Sequence, residues 1–242
     1  MSLLTVITSF SPSGYELYGK AFLKSFGEFW PLTVKLLVAW EGERPSGFQG
    51  FDLLKTEPCA SFLARHKDNL AVAGLQEDER SPWGPKARRE DYSFRHDAYK
   101  FSRKVFAVAH ASRLIGYGKL FWIDADTVTH QRMSEDVLRH LLPDNVSLCY
   151  LARPRSYSEL GFVGYNLQQK EARDFIQRYE RRYADDEFFD DPAWDDCWQF
   201  DRLVRLYLPR CKMIPHTSQS QPFDNSVLGQ YMTHLKGPRK AA

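Results

Sequence analysis

The 242-residue sequence predicts an α/β fold with a mainly parallel central sheet flanked by helices. Three observations predict it. An apolar strand, an amphipathic helix and a second apolar strand follow one another within the first 40 residues. At the midpoint of the chain another apolar strand ends abruptly in two carboxylates. The remainder shows no internal repeat, no low-complexity tract and no domain boundary, so one domain over residues 1–242 is expected.

Residues 3–8 read as a buried strand and 9–13 as a turn. Over 14–29, Leu17, Ala21, Phe22 and Phe26 recur at helical spacing until Pro31 blocks continuation. Residues 34–40 form the second strand. A helix is expected over 59–75, then a charged loop with Pro82, Gly84 and Pro85 over 76–89, of a length often used as a lid or acceptor-binding element. A long helix follows over 92–115, with Ala98, Phe101, Val105 and Val108 on one face. Strands are expected at 120–123, 146–151 and 162–167, and helices at 134–142, 168–183 and 192–208. The tail from 212 is irregular, with a helical stretch over 223–232.

Hydrophobic residues make up 43% and charged residues 26%, ordinary for a soluble globular protein. With 33 basic against 31 acidic residues, the +2 charge is no footprint for nonspecific nucleic-acid or membrane binding. The basic clusters at 86–89, 153–155 and 236–240 read as solvated surface. Met1 leads directly into a strand-like run without a basic leader, and no apolar stretch is long enough to span a bilayer. Cys59, Cys149, Cys197 and Cys211 are widely spaced, so neither a zinc site nor a disulfide framework is indicated. A reducing, cytoplasmic setting is the expectation.

The most informative segment is KLFWIDADTV, residues 119–128. Both carboxylates, Asp124 and Asp126, fall at the C-terminal end of a strand, where open α/β sheets place their ligands. Two acids one residue apart in extended chain project to opposite sides. A turn starting at Asp124 instead brings both toward one cation, and oxygen ligands suit a hard ion such as Mg²⁺ or Mn²⁺.

Two enzyme classes use this pattern. Asp124, Asp126 and Val128 fit the D-x-D-x-(T/V) motif of haloacid-dehalogenase-like phosphatases. That class places the motif near its N-terminus and needs a further acidic pair after a later strand; here the acids at 185–186 and 190–191 follow polar helix. The mid-chain position instead resembles the GT-A glycosyltransferases, with residues 1–126 as the nucleotide-binding half and 127–242 as the acceptor half. Three more segments resemble the glycogenin-like and bacterial lipopolysaccharide galactosyltransferase families, with small bacterial or phage-encoded relatives. Lys104, with Lys100 one turn before it, lies on the helix feeding the acidic strand. The tail His234, Gly237 and Lys240 matches H-x-x-G-x-x-K, although the sequence then reads Ala-Ala where the family often continues Pro-Trp. Residues 161–167 resemble the strand behind the sugar and acceptor site.

The resemblance implies roles. Asp126 and His234 would ligate a Mn²⁺ or Mg²⁺ ion, with Asp124 beside them at the ribose or a metal-bound water. Gly237 would let the backbone approach the diphosphate. Lys100, Lys104 and Lys240 would neutralise its charge, and Thr8 and Ser9 at the first strand's end would meet base and ribose. Asp195 or Asp196 would act as a base or stabilise the sugar carbon; first-turn charges on a helix dipole are the alternative use of that pair. The implied reaction moves a sugar from a nucleoside-diphosphate sugar, UDP-linked by preference and with retention, to a glycan, a small hydroxylated molecule or a modified DNA base. A binding module that keeps the fold and metal site without turnover is a third class; it would lack acids around the acceptor site, and this chain has them in excess.

Overall fold

The computed structural model describes residues 3–42, 47–75, 92–154, 156–207 and 209–236. The chain opens with β1 (Leu4–Phe10), α1 (Pro12–Gly14), a π-helical turn (Tyr15–Gly19) and α2 (Lys20–Phe29), and returns as β2 (Val34–Trp40). Then come β3 (Gly50–Asp52), α3 (Cys59–Arg65), β4 (Ala73–Leu75), β5 (Tyr92–Asp97), α4 (Ala98–Ile115) and β6 (Lys119–Ile123). The second half runs β7 (Thr127–Thr129), α5 (Glu135–Leu141), β8 (Leu148–Leu151), β9 (Glu159–Asn166) and α6 (Lys170–Ala184). It closes with α7 (Asp196–Tyr207), β10 (Cys211–Met213) and β11 (Met232–His234).

Seven strands make the central sheet in the order β10-β8-β9-β6-β1-β2-β3. β1 pairs in parallel with β2 and β6, β2 with β3, and β10 with β8; β9 alone runs against its neighbours. The mainly parallel sheet expected from the sequence is therefore present. β6 and β9 are buried at every residue, as a sheet covered on both faces requires. Alternate residues of β1 serve two cores: Leu4, Val6 and Phe10 join the layer under α2 and α5, while Ile7 joins the layer under α3, α4, α6 and α7.

Two helical expectations are shortened by strands. The 59–75 helix ends at Arg65, and β4 pairs antiparallel with β5. Gly74 sits at φ +74, and a Cβ there would lie 2.6 Å from the Ser93 carbonyl, so this bend needs glycine. The 92–115 helix begins only at Ala98, because the Asp97 carboxylate accepts the Lys100 N–H at 2.9 Å and caps it. The 192–208 helix likewise starts at Asp196, and in place of a helix over 223–232 the chain makes a short 3₁₀ turn (Val227–Gln230) and β11. The 76–89 loop and the 86–89 basic cluster lie outside the described residues.

β11 decides the site. It pairs antiparallel with β7 in a separate two-stranded ladder, with His234 opposite Thr127. β7 is fixed from beneath: Thr129 donates its N–H to Ser25 Oγ at 3.1 Å and accepts Trp30 Nε1 at 2.9 Å. The last described residues are thereby held against the segment that follows β6.

Candidate functional site

At the end of β6 the chain turns: the Thr127 N–H donates to the Asp124 carbonyl at 3.1 Å across residues 124–127. The turn lets both acids face one centre. His234 Nε2 stands 3.0 Å from Asp126 Oδ1 and 3.5 Å from Asp124 Oδ2. Glu159, the first residue of β9, approaches the other ring nitrogen at 3.5 Å and forms an ion pair with Lys236. Ligand atoms of Asp124, Glu159 and His234 all lie within 4.8 Å of one another. Burial opposes charge on His234, but its hydrogen bond to Asp126 and the fields of Asp124, Asp126 and Glu159 outweigh that and raise its pKa.

Gly161 makes room for this ring. A Cβ at that position would lie 2.7 Å from His234 Cε1 and 2.8 Å from Nδ1. Its N–H also donates to Glu159 Oε1 at 3.2 Å, tying the carboxylate to the strand.

Beside this centre lies a cavity of about 340 Å³, lined among others by Ser9, Glu41, Lys100, Arg103, Asp124 and Asp126. It opens at the C-terminal ends of β1, β2 and β6. Ser9 Oγ donates to Glu41 at 3.1 Å, and Arg103 pairs with the same carboxylate at 2.5 Å. Burial, with Asp126, Glu41 and Asp124 nearby, pushes the Tyr18 hydroxyl on the cavity wall up to about 12, so it stays a neutral donor.

Lys104 sits between the two acidic pairs. Its Nζ is 3.0 Å from Asp124 Oδ1 and 2.6 Å from Asp196 Oδ2. Burial works against the ammonium, yet the two carboxylates prevail and hold its pKa well above 10.5. Trp122 Nε1 donates to the same Asp124 oxygen at 2.6 Å, fixing the carboxylate's orientation.

The structure thus brings together Asp124, Asp126, His234, Lys104, Lys100 and Ser9. Thr8 is placed elsewhere: it is fully buried, shares the face of Val6 and Phe10, and does not line the cavity. Asp195 and Asp196, expected near the sugar carbon, do not line it either. Each is 1% exposed. Asp195 Oδ1 accepts the Trp198 N–H at 3.0 Å as the cap of α7, and Asp196 pairs with Lys104. Burial, then the charge of Asp196, pushes the Asp195 carboxyl up to about 6. Gly237 and Lys240 lie outside the described residues. Sequence reasoning missed Glu41, Arg103, Tyr18 and Glu159. Glu41 directly follows the second apolar strand, so the strand-end rule that found Asp124 extends to it.

No protein-family model and no curated protein matches this sequence. Solved structures do match. A glycosyltransferase involved in glycosylation of the major capsid of PBCV-1 superposes with a TM-score of 0.54 at 10% identity, covering 98% of this chain and 95% of that one. The bifunctional glycosyltransferase WbbM matches at 0.48 and 12% identity, and GlyE of Streptococcus pneumoniae TIGR4 at 0.48 and 9%. These cover 98% and 88% of this chain, which spans only 46% and 45% of theirs. The fold is that of a glycosyltransferase, an α/β architecture of the GT-A kind.

Proposed function

We propose that this chain is a divalent-metal-dependent glycosyltransferase that moves a sugar from a nucleoside-diphosphate sugar, UDP-linked by the family resemblance, to an acceptor hydroxyl with retention. The observation that supports this most is the convergence of Asp124, Asp126 and His234 at a strand end, beside a cavity carrying Lys100 and Arg103. Carboxylate oxygens and one imidazole within a few ångströms suit Mn²⁺ or Mg²⁺. Asp126 and His234 would hold the ion, with Asp124 at its edge, and the bound ion would supply positive charge against the departing diphosphate.

The protein's own groups do the rest. Ser9 and Glu41 offer hydrogen-bonding atoms to base and ribose at the ends of β1 and β2. Lys100 and Arg103 place positive charge along the cavity wall, where a diphosphate would lie. Lys104, held by Asp124 and Asp196, fixes the Asp124 carboxylate. Asp196 is therefore proposed to act through Lys104 and Asp195 to anchor α7. By the family resemblance, Gly237 is proposed to let the backbone approach the diphosphate and Lys240 to neutralise its charge. The acceptor is proposed to be a carbohydrate or another hydroxylated molecule, a modified DNA base among them, in the cytoplasm. No helix among the described residues is long and apolar enough to cross a membrane. The phosphohydrolase alternative needs a second acidic pair after a strand beside Asp124. Asp195 and Asp196, linked to Asp124 through Lys104, stand instead at the start of a helix.

A thermal-shift panel of UDP-, GDP-, dTDP- and ADP-sugars with and without Mn²⁺ tests the proposal. One nucleotide should stabilise the protein only with metal, by about 2.7 kcal/mol at a hundredfold excess over Kd. Asp126→Asn should remove that shift while leaving the metal-free Tm in place. Silence toward every nucleotide, with turnover of a generic phosphate ester, would defeat it.

A further inference from the structure

Away from the donor cavity, α6 and α7 enclose a cleft of about 220 Å³ whose lining is dominated by guanidinium groups: Arg178, Arg181, Arg182 and Arg202, with Glu187 and Tyr207. Two of the four are neutralised, Arg182 as a buried floor and Arg202 at the exposed edge. Arg182 is buried, pairs with Glu187 at 2.8 Å and with Asp191, and donates to Gln199 Oε1 at 2.7 Å. Arg202 pairs with Asp191 at 2.7 Å. The other two form the rim. Arg178 stacks over the Tyr207 ring at 4.1 Å, and neither Arg178 nor Arg181 has an acidic partner among the described residues. Four cations against two acids leave the cleft with two positive charges in excess.

A helix C-terminus favours basic residues, and Arg181 and Arg182 lie in the last turn of α6. That accounts for two residues and not for Arg178 or for Arg202 on the facing helix. Nor does it account for burying one arginine beneath two uncompensated ones, an arrangement whose repulsion is relieved by an anion. Planar guanidinium forks match phosphate oxygens in pairs. The volume suits a group of several heavy atoms rather than a lone water. Tyr207 and the exposed Leu206 add an apolar wall on which a sugar ring can rest.

We propose that this cleft is a second binding site, specific for a phosphate group, in which Arg178 and Arg181 grip the oxygens over a floor set by the buried Arg182. It is separate from the donor cavity, with which it shares no lining residue. The phosphate comes either free or carried by a sugar, and the same two arginines read both.

The test is isothermal titration of the full chain in EDTA at low ionic strength, with inorganic phosphate and with glucose 6-phosphate as probes. EDTA removes divalent metal from the acidic centre, so the result does not depend on the proposed transfer reaction. Binding is expected with both probes, weakening as salt is added. The double variant Arg178→Gln/Arg181→Gln, altered only at exposed side chains, should bind at least about tenfold more weakly, the scale of one lost charge-assisted hydrogen bond. Tighter binding of the sugar phosphate assigns the site to a sugar-borne group packed on Tyr207, and equal affinity assigns it to the free ion. An absence of binding to the parent, or a double variant that binds as well as the parent, overturns the proposal. In that event Arg178 and Arg181 are solvated surface charges on α6.

Discussion

Two of the chain's closely spaced aspartate pairs, Asp124/Asp126 and Asp195/Asp196, meet different fates. Asp124 and Asp126 follow a strand, and the turn after β6 aims both at His234. Asp195 and Asp196 stand at the start of a helix, and there the backbone splits them: one caps α7, the other reaches across to Lys104. Chemistry at the residue level is identical in the two places. What differs is the backbone, which converges one pair on an imidazole and commits the other to holding structure. Lys104 joins them, with one carboxylate from each pair on its ammonium. The contrast teaches that a D-D or D-x-D string becomes a site only where its oxygens are left facing an opening.

Breaking the link gives the largest expected effect. Lys104→Met leaves Asp196 buried without its cation, a loss on the order of 3–5 kcal/mol of stability at neutral pH. Urea unfolding measures it, and the double variant Lys104→Met/Asp196→Asn should regain part of the loss. A cost under about 1 kcal/mol, the scale of an exposed pair, would show that Lys104 is not holding the pairs together.

The second prediction separates the pairs by pH. Asp195 has its pKa raised from 3.8 to about 6 in the folded state. The folded protein therefore binds a proton that the unfolded chain has already released, and stability is fully present below about pH 4 and declines as pH rises through about 6. The expected decline from this one group is on the order of 2–3 kcal/mol. Asp195→Asn keeps a capping acceptor and should flatten that part of the profile. A profile unchanged by the substitution would remove Asp195 as its source.

The third and smallest effect probes the converging pair. Gly161→Ala places a methyl against His234 and should displace the ring. Metal affinity, read by Mn²⁺ titration, should fall about 10–100-fold, the scale seen when a metal ligand's orientation is disturbed. Affinity equal to the parent's would mean that His234 need not sit where this structure holds it.

Much of the fold was legible because periodicity reports burial, and burial on both faces of a sheet writes continuous apolar runs. The strands at β1, β2 and β6 and the helices α2, α5 and α6 fall close to where their patterns predict. The three-residue strands β3, β4, β7, β10 and β11 are too short to carry a period, and residues 92–97 share apolar spacing with the helix that follows. Within the site, Asp124 stood out because a strand ended on it. Glu159 did not, since nothing local sets it apart from any other acid at the start of a strand.

By itself, then, the sequence determined the parallel α/β core and the acidic turn at the end of its central strand, since both rest on local apolar pattern and spacing. Tertiary structure alone decided which groups meet there. His234 reaches Asp126 across 108 positions because β11 pairs with β7. Glu159 reaches His234 because Gly161 lets β9 and the ring come close. Asp196 is drawn to Lys104 because α4 and α7 pack in the same layer. Such contacts depend on where distant segments end in space, a quantity that no local pattern of residues contains.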